Sequence, residues 1–279
     1  MNNSTATLEK LERMSLRGMA RSFRTALEAG GGSGMSPEEL LSTLVDAEWE
    51  DRRGRKLARL LKGARFRYRA GVEDVDFGIK RNLTKSAFLR LADCRWIQEH
   101  QSLIITGPCG SGKSFLASAL GQQACIYGYR VLYWPASKLF AHLKLSKADG
   151  SYLRELGKIA RRELILIDDF GLETLDTASR LSLLEILEDR HGRASTLIAS
   201  QLPVARWHEL IGEPTIADAI CDRIVHSAHR IELKGESVRK LCPFCNGAWG
   251  AGARGLSSFI SSSAEEAGRW QRARRGQRG

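Results

Sequence analysis

Residues 103–120 constrain this chain more than any other stretch. They read Leu-Ile-Ile-Thr-Gly-Pro-Cys-Gly-Ser-Gly-Lys-Ser-Phe-Leu-Ala-Ser-Ala-Leu. Leu103 to Ile105 form a short apolar run of buried-strand type, and a helix is expected from about Lys113. Between them lies Gly107-x-x-x-x-Gly112-Lys113-Ser114, the full P-loop spacing. Each part has a physical task. The glycines let the backbone turn tightly and bring N–H groups around a phosphate chain. A helix N-terminus adds partial positive charge and unpaired donors. Lys113 is placed to reach β- and γ-phosphates, and the Ser114 hydroxyl to hold Mg²⁺. The expected nucleotide-binding set is Gly107, Pro108, Cys109, Gly110, Ser111, Gly112, Lys113, Ser114 and Phe115.

A second signal lies downstream. Leu164-Ile165-Leu166-Ile167 ends in Asp168-Asp169. Two carboxylates at the end of a buried strand need a polar or metal-bound site. With a P-loop upstream, Asp168 is expected to bind Mg²⁺, mainly through water, and Asp169 to orient or deprotonate the attacking water. Further strands are expected over 129–134, 195–201 and 229–233, alternating with helices. That alternation gives a mostly parallel sheet flanked by helices on both faces. Thr106, Asp168, Asp169, Ser200 and Gln201 then gather at the strands' carboxyl ends, where ligands bind in such folds.

Charge divides the chain differently. The net charge is +11, made up of +5 over residues 1–71, +2 over 72–240 and +4 over 241–279. The nucleotide region is nearly neutral and both ends are basic, which fits either a nucleic-acid partner or a solubilising surface. Nine basic residues fall between Arg52 and Arg69. Leu57, Leu60, Leu61 and Ala64 follow helical spacing there. Arg52, Arg55, Lys56 and Arg59 line much of the rest, as a phosphate-contacting face or as a solvated one.

The remaining N-terminal stretch is helical in pattern. Residues 8–27 carry an apolar stripe, residues 30–34 form a flexible break, and Ser36-Pro37-Glu38-Glu39 is a capping-box start. The helix it opens is expected to bury Leu40, Leu41, Leu44, Val45 and Trp49. A helix is also expected from Ser86 to Glu99. The boundaries read as a basic helical domain over 1–71, an ATPase domain over 72–240 and a disordered basic tail over 241–279. Six cysteines without a disulfide framework suit a reducing compartment, and no apolar run reaches membrane-spanning length. A soluble cytoplasmic protein is expected.

Together these stretches resemble the IstB-type transposition-helper ATPases, AAA+ proteins close to the DnaC-type helicase loaders. The likeness runs from about residue 8 to Lys240 and is strongest from Val72 onward. Beyond the P-loop and Asp168-Asp169, it rests on residues 184–190, 195–203, 214–223 and 235–237. It implies a small all-helical domain before an AAA+ P-loop core. It also implies ATP and Mg²⁺ as cofactors, an ATP-dependent homo-oligomer on double-stranded DNA, and a transposase partner. Gly107 to Ser114 become Walker A, and Asp168 and Asp169 Walker B. Ser200, or Gln201, takes the place of a polar γ-phosphate sensor. Arg223 resembles the arginine finger given to a neighbouring subunit, with Arg230 and Arg239 as nearby alternatives. AAA+ proteins usually carry Asp-Glu in Walker B, so Asp168-Asp169 implies slow hydrolysis stimulated by DNA and oligomerisation. The tail after Lys240 matches nothing expected of the family. Its Cys242-Pro243-Phe244-Cys245 is a lone pair, weak as a zinc site. Competing readings are a replicative helicase loader, a nucleotide-gated scaffold without turnover and a small-molecule kinase.

Overall fold

The structure, a computed structural model, describes residues 3–30, 35–225 and 228–235. Arg239 and the 241–279 tail with Cys242 and Cys245 lie outside the described residues. The chain divides into two compact units, Met1–Lys62 and Gly63–Gly279.

The first unit is helical. Helix α1 spans Asn3–Arg13, α2 spans Arg17–Glu28 and α3 spans Pro37–Ala64. The apolar stripe of 8–27 is divided between α1 and α2, with Ser15 between them at a left-handed φ of +60°. The capping box forms as its residues require. Ser36 Oγ accepts from Glu39 N at 3.2 Å, and Glu39 Oε2 accepts from Ser36 N at 2.8 Å. Glu48 of α3 is buried and accepts from Gly18 N at 2.8 Å and Arg52 Nε at 2.7 Å. Its carboxylate thus caps the first turn of α2, where the helix dipole favours a negative charge. Gly18 permits the approach, since a Cβ there would lie 2.6 Å from Glu48 Cα. The expected burial of the α3 stripe is only partial. Leu41, Val45 and Trp49 are 59%, 48% and 59% exposed. Periodicity marks an apolar face, but no described element of the helical unit covers it.

The second unit holds a five-stranded sheet. Two short helices come first, α4 over Lys85–Ala92 and α5 over Arg95–Gln98. The single helix expected from Ser86 to Glu99 is split by Cys94, whose φ is +57°. Then come β1 (Ser102–Thr106), α6 (Lys113–Ile126), β2 (Val131–Pro135), α7 (Ala136–Ala148) and α8 (Tyr152–Ala160). They are followed by β3 (Leu164–Phe170), α9 (Thr177–Arg190) and β4 (Ser195–Ser200). A 3-10 turn at Val204–Arg206, α10 (Trp207–Ile211), α11 (Pro214–Val225) and β5 (Ala228–Glu232) complete it.

All strand pairs are parallel, in the order β2-β3-β4-β1-β5. The central strands are buried on both faces, which is why they read as unbroken apolar runs. Ile104, Ile165, Ile167 and Ile198 join a core with Leu139, Leu183, Trp207 and Ile220 from the helices of one layer. On the opposite face, α6 packs so closely that a Cβ on Gly121 would lie 3.2 Å from Leu166. At the strands' amino ends, buried Arg190 donates to the carbonyls of Ile159, Arg162 and Ser195, joining α9 to α8 and β4. No described helix is long and apolar enough to cross a membrane.

Candidate nucleotide site

The register places the ends of β1, β3 and β4 together. Thr106 lies opposite Ser200, and Ser200 opposite Phe170. The loop after β1 is built around three glycines with φ of +153° (Gly107), +80° (Gly110) and +92° (Gly112). Any side chain at Gly107 would also collide, since its Cβ would sit 2.7 Å from Leu233 O. Gly112 then starts α6 in the left-handed region, so the N–H groups of its first turn face the loop.

Lys113 is buried, and its Nζ donates to Gly107 O and Pro108 O, both at 2.8 Å. The ammonium thus lies across the mouth of the loop, satisfied by carbonyls that a phosphate can replace. Ser111 Oγ is buried with no hydrogen-bond partner among the described residues. A cradle open only to glycine, an orphaned hydroxyl and a buried cation fit a polyphosphate.

Ser114 Oγ donates to Asp168 Oδ1 at 3.0 Å. That pair of hard oxygens suits Mg²⁺, which takes few protein ligands and completes its shell with water and phosphate oxygens. Two further groups fix Asp168: Asp169 N donates to its Oδ1 at 2.9 Å and Tyr133 Oη to its Oδ2 at 2.5 Å. Burial, then the negative charge of Asp168, push the Tyr133 hydroxyl well above its usual range, so it remains a donor.

Asp169 sits at an irregularity in the β3–β4 ladder between Ile167 and Phe170, with φ +56°. Such a bulge re-aims a side chain out of the strand's alternation. Its carboxylate accepts from Arg67 Nη1 at 2.9 Å. Sequence reading placed Arg67 in the basic stretch from Arg52 to Arg69 and not at this carboxylate, because the two residues are 102 positions apart. Arg81 carries no sequence signal. It is buried, donates to Asp76 O at 2.9 Å and approaches Ser111 O at 3.5 Å. Beside it opens a cleft of about 500 Å³ lined by Phe77, Arg81, Asn82, Thr84, Lys234 and Gly235.

Other expected site residues lie differently. The Ser200 hydroxyl is at the strand end but is engaged by backbone, donating to Phe170 O at 2.8 Å and accepting from Leu202 N at 3.1 Å. Gln201 beside it is half-buried. Arg223 lies away from its own P-loop, beside Ser102 and Thr196 at the strands' amino ends. There it pairs with Glu188 at 2.9 Å and donates to Ala219 O at 3.1 Å. Arg230 Nη2 donates to Val225 O at 3.0 Å. In the helical unit, Arg52 and Arg55 are paired with carboxylates of their own helix. Arg52 lies 2.7 Å from Glu48, and Arg55 lies 2.6 Å from Asp51. Lys56 and Arg59 are exposed.

The fold matches solved structures. The crystal structure of DnaI superposes with a TM-score of 0.52 at 23% identity, over 63% of this chain and 94% of that one. AMPPCP-bound DnaA from Aquifex aeolicus gives 0.50 at 17% identity, over 60% of this chain and 50% of that one. These matches show the fold, an AAA+ P-loop core. A protein of Sinorhizobium fredii named as an insertion sequence ATP-binding protein is 49% identical over 234 residues, 84% of this chain and 96% of the relative. The family model described as IstB-like ATP binding protein matches residues 9–242. The chain therefore belongs to the IstB-like ATP binding protein family, built on an AAA+ core.

Proposed function

We propose that this chain binds and hydrolyses Mg·ATP, assembles with ATP on double-stranded DNA, and assists a transposase in choosing its target site. The observation that carries the first step is the convergence of Lys113, Ser114 and Asp168 at the mouth of one glycine loop. Residues 107–115 receive the phosphates, and Lys113 exchanges its two carbonyl partners for phosphate oxygens. Ser114 and Asp168 hold Mg²⁺, which offsets charge on the phosphates. The cleft beside Arg81 takes the remainder of the nucleotide. Asp169 accepts the proton of the attacking water as ADP and phosphate form. At the end of β4, Ser200 braces the strand, leaving Gln201 as the polar group with room to sense the γ-phosphate.

Arg223 lies one strand length from its own P-loop, roughly 15 Å for five residues, so its catalytic use requires a neighbouring copy. The ATP-linked homo-oligomer follows from that requirement. Insertion-sequence naming among the relatives supports a transposase over a replicative helicase as partner. Cytoplasmic location follows from that role.

DNA affinity is assigned to the exposed cations of α3, led by Lys56 and Arg59, because Arg52 and Arg55 are engaged by Glu48 and Asp51. The test is duplex binding against salt with ATP or ADP. Each phosphate contact contributes a slope of about −0.9 in log affinity per log salt. Tighter binding with ATP is expected. Replacing Lys56 and Arg59 by alanine should flatten the slope more than replacing Arg52 and Arg55. A chain ending at Lys240 serves as control for the tail arginines. Loss of DNA binding in that truncation alone would move the contact surface to the tail.

A further inference from the structure

Residues 65–69, Arg-Phe-Arg-Tyr-Arg, form neither helix nor strand, and their exposure alternates. The three arginines face solvent, while Phe66 and Tyr68 are half-buried. Phe66 fills the notch left by Gly121 of α6, where a Cβ would come within 2.5 Å of its ring. The same ring lies 6.4 Å from that of Tyr133, whose hydroxyl holds Asp168. On the other side of Arg67, Gln122 Nε2 donates to Tyr68 O at 2.9 Å. Arg67 is therefore held between two anchored neighbours, with its guanidinium 5.4 Å from the centre of the Tyr68 ring. From there it reaches Asp169.

This contact occupies a carboxylate oxygen of the group proposed to receive the proton of water. It is also exchangeable. The Arg67 and Asp169 side chains are 46% and 27% exposed, so an anion from solution reaches the guanidinium without unfolding. An ion pair of that exposure is worth only a few-fold in an equilibrium constant. Arg65 and Arg69 flank it without an ion pair among the described residues, while Arg67 feels the charges of both Asp169 and Asp168. Arginine guanidinium recognises phosphate through paired donors.

We propose that Arg65, Arg67 and Arg69 form a site for nucleic-acid backbone phosphates, and that Arg67 is also a positioning residue for hydrolysis. Without DNA, Arg67 holds the Asp169 carboxylate. Phosphates of a bound duplex draw Arg67 away and free the carboxylate for water. The inference rests on the reading of Asp169 as proton acceptor and of duplex DNA as ligand, and deepens it by naming the link between them.

Linkage supplies a test that does not need turnover. If DNA must break the Arg67–Asp169 pair, deleting the acid returns that cost to DNA affinity. The experiment measures binding of a fluorescent duplex by the full-length, nucleotide-free protein in four forms: wild type, Asp169→Ala, Arg67→Ala and the double variant. Asp169→Ala should tighten binding about two- to fivefold in the wild-type background. It should do nothing in the Arg67→Ala background. Equal tightening in both backgrounds is a plain charge effect and overturns the proposal, as does no tightening in either. Coupling seen with a fluorescent ATP analogue and not with DNA overturns it too, since the competing phosphate is then the nucleotide's.

Steady-state turnover gives a second readout. Arg67→Ala should raise the DNA-free kcat by a similar factor, leave KM for ATP unchanged and shrink the stimulation by DNA. Arg67→Lys should restore part of the brake. A fall in kcat in Arg67→Ala places the residue in the chemistry and refutes its role as a brake. The outcomes separate the layers. DNA binding without coupling defeats this inference alone. Coupling without turnover in any form defeats the hydrolysis reading alone. No DNA binding by the wild type defeats both.

Discussion

Replacing Lys113 by alanine tests the nucleotide site through the residue that the loop holds most tightly. Truncating one partner of a buried, hydrogen-bonded charge pair costs about 2–5 kcal/mol of binding. In the free protein, Nζ already donates to Gly107 O and Pro108 O at 2.8 Å each. Those bonds must be surrendered when phosphate arrives, which places the expected loss at the low end, about 2–3 kcal/mol. That corresponds to roughly 30- to 150-fold weaker binding. The fold should tolerate the change, because Gly107 is half-buried and Pro108 exposed, so water can satisfy both carbonyls. The assay is titration with a fluorescent ATP analogue at fixed Mg²⁺ and salt, beside a thermal melt of the same sample. Affinity within about threefold of wild type, with an unchanged melt, would refute the assignment of Lys113 to the phosphates.

Asp169→Asn should keep nucleotide affinity and lose turnover, since an amide cannot take the proton; equilibrium binding and phosphate release on one preparation check it. Arg223→Ala should leave ATP affinity intact and slow hydrolysis by about 10³-fold. Mixing it with Lys113→Ala protein should recover activity, and no recovery at any ratio would argue against an arginine supplied in trans. Glu48→Ala should destabilise the helical unit by about 2 kcal/mol through the lost cap of α2, seen as faster amide exchange of that helix in the full chain. Burial alone would raise the Glu48 carboxyl, but hydrogen bonds from Arg52, Gly18 and Met19 outweigh it and hold it below its ordinary value of 4.5. Its contribution is therefore complete above about pH 4.5 and lost as pH falls through the lowered folded value. Glu48→Gln should flatten that acid limb of a stability profile.

What the sequence revealed depended on how local each feature is. The P-loop was legible because its glycines, lysine and serine act within eight residues of one another, between a strand and a helix. The strands were legible because parallel strands buried on both faces must be apolar throughout. The breaks between helices were not, because left-handed residues at Ser15 and Cys94 carry no glycine or proline to mark them. Leu41, Val45 and Trp49 show the limit of periodicity, which finds an apolar face without saying what covers it. The partners of Arg67 and Arg81 were hidden because they lie 102 and 30 positions away. An arginine in a basic stretch looks like surface charge until the fold brings a carboxylate to it. Ser200 shows the converse, since a polar residue at the right strand end spends its hydroxyl on backbone.

The most direct test of the central claim is ATP turnover by the purified full-length chain, measured against its own concentration with and without duplex DNA. A nucleotide site completed by a neighbouring copy predicts that the rate per chain rises with concentration. It also predicts that DNA lowers the concentration at which it rises, because the duplex gathers copies on one lattice. A rate per chain that is constant with concentration and unaffected by DNA would contradict both the shared site and its coupling to DNA.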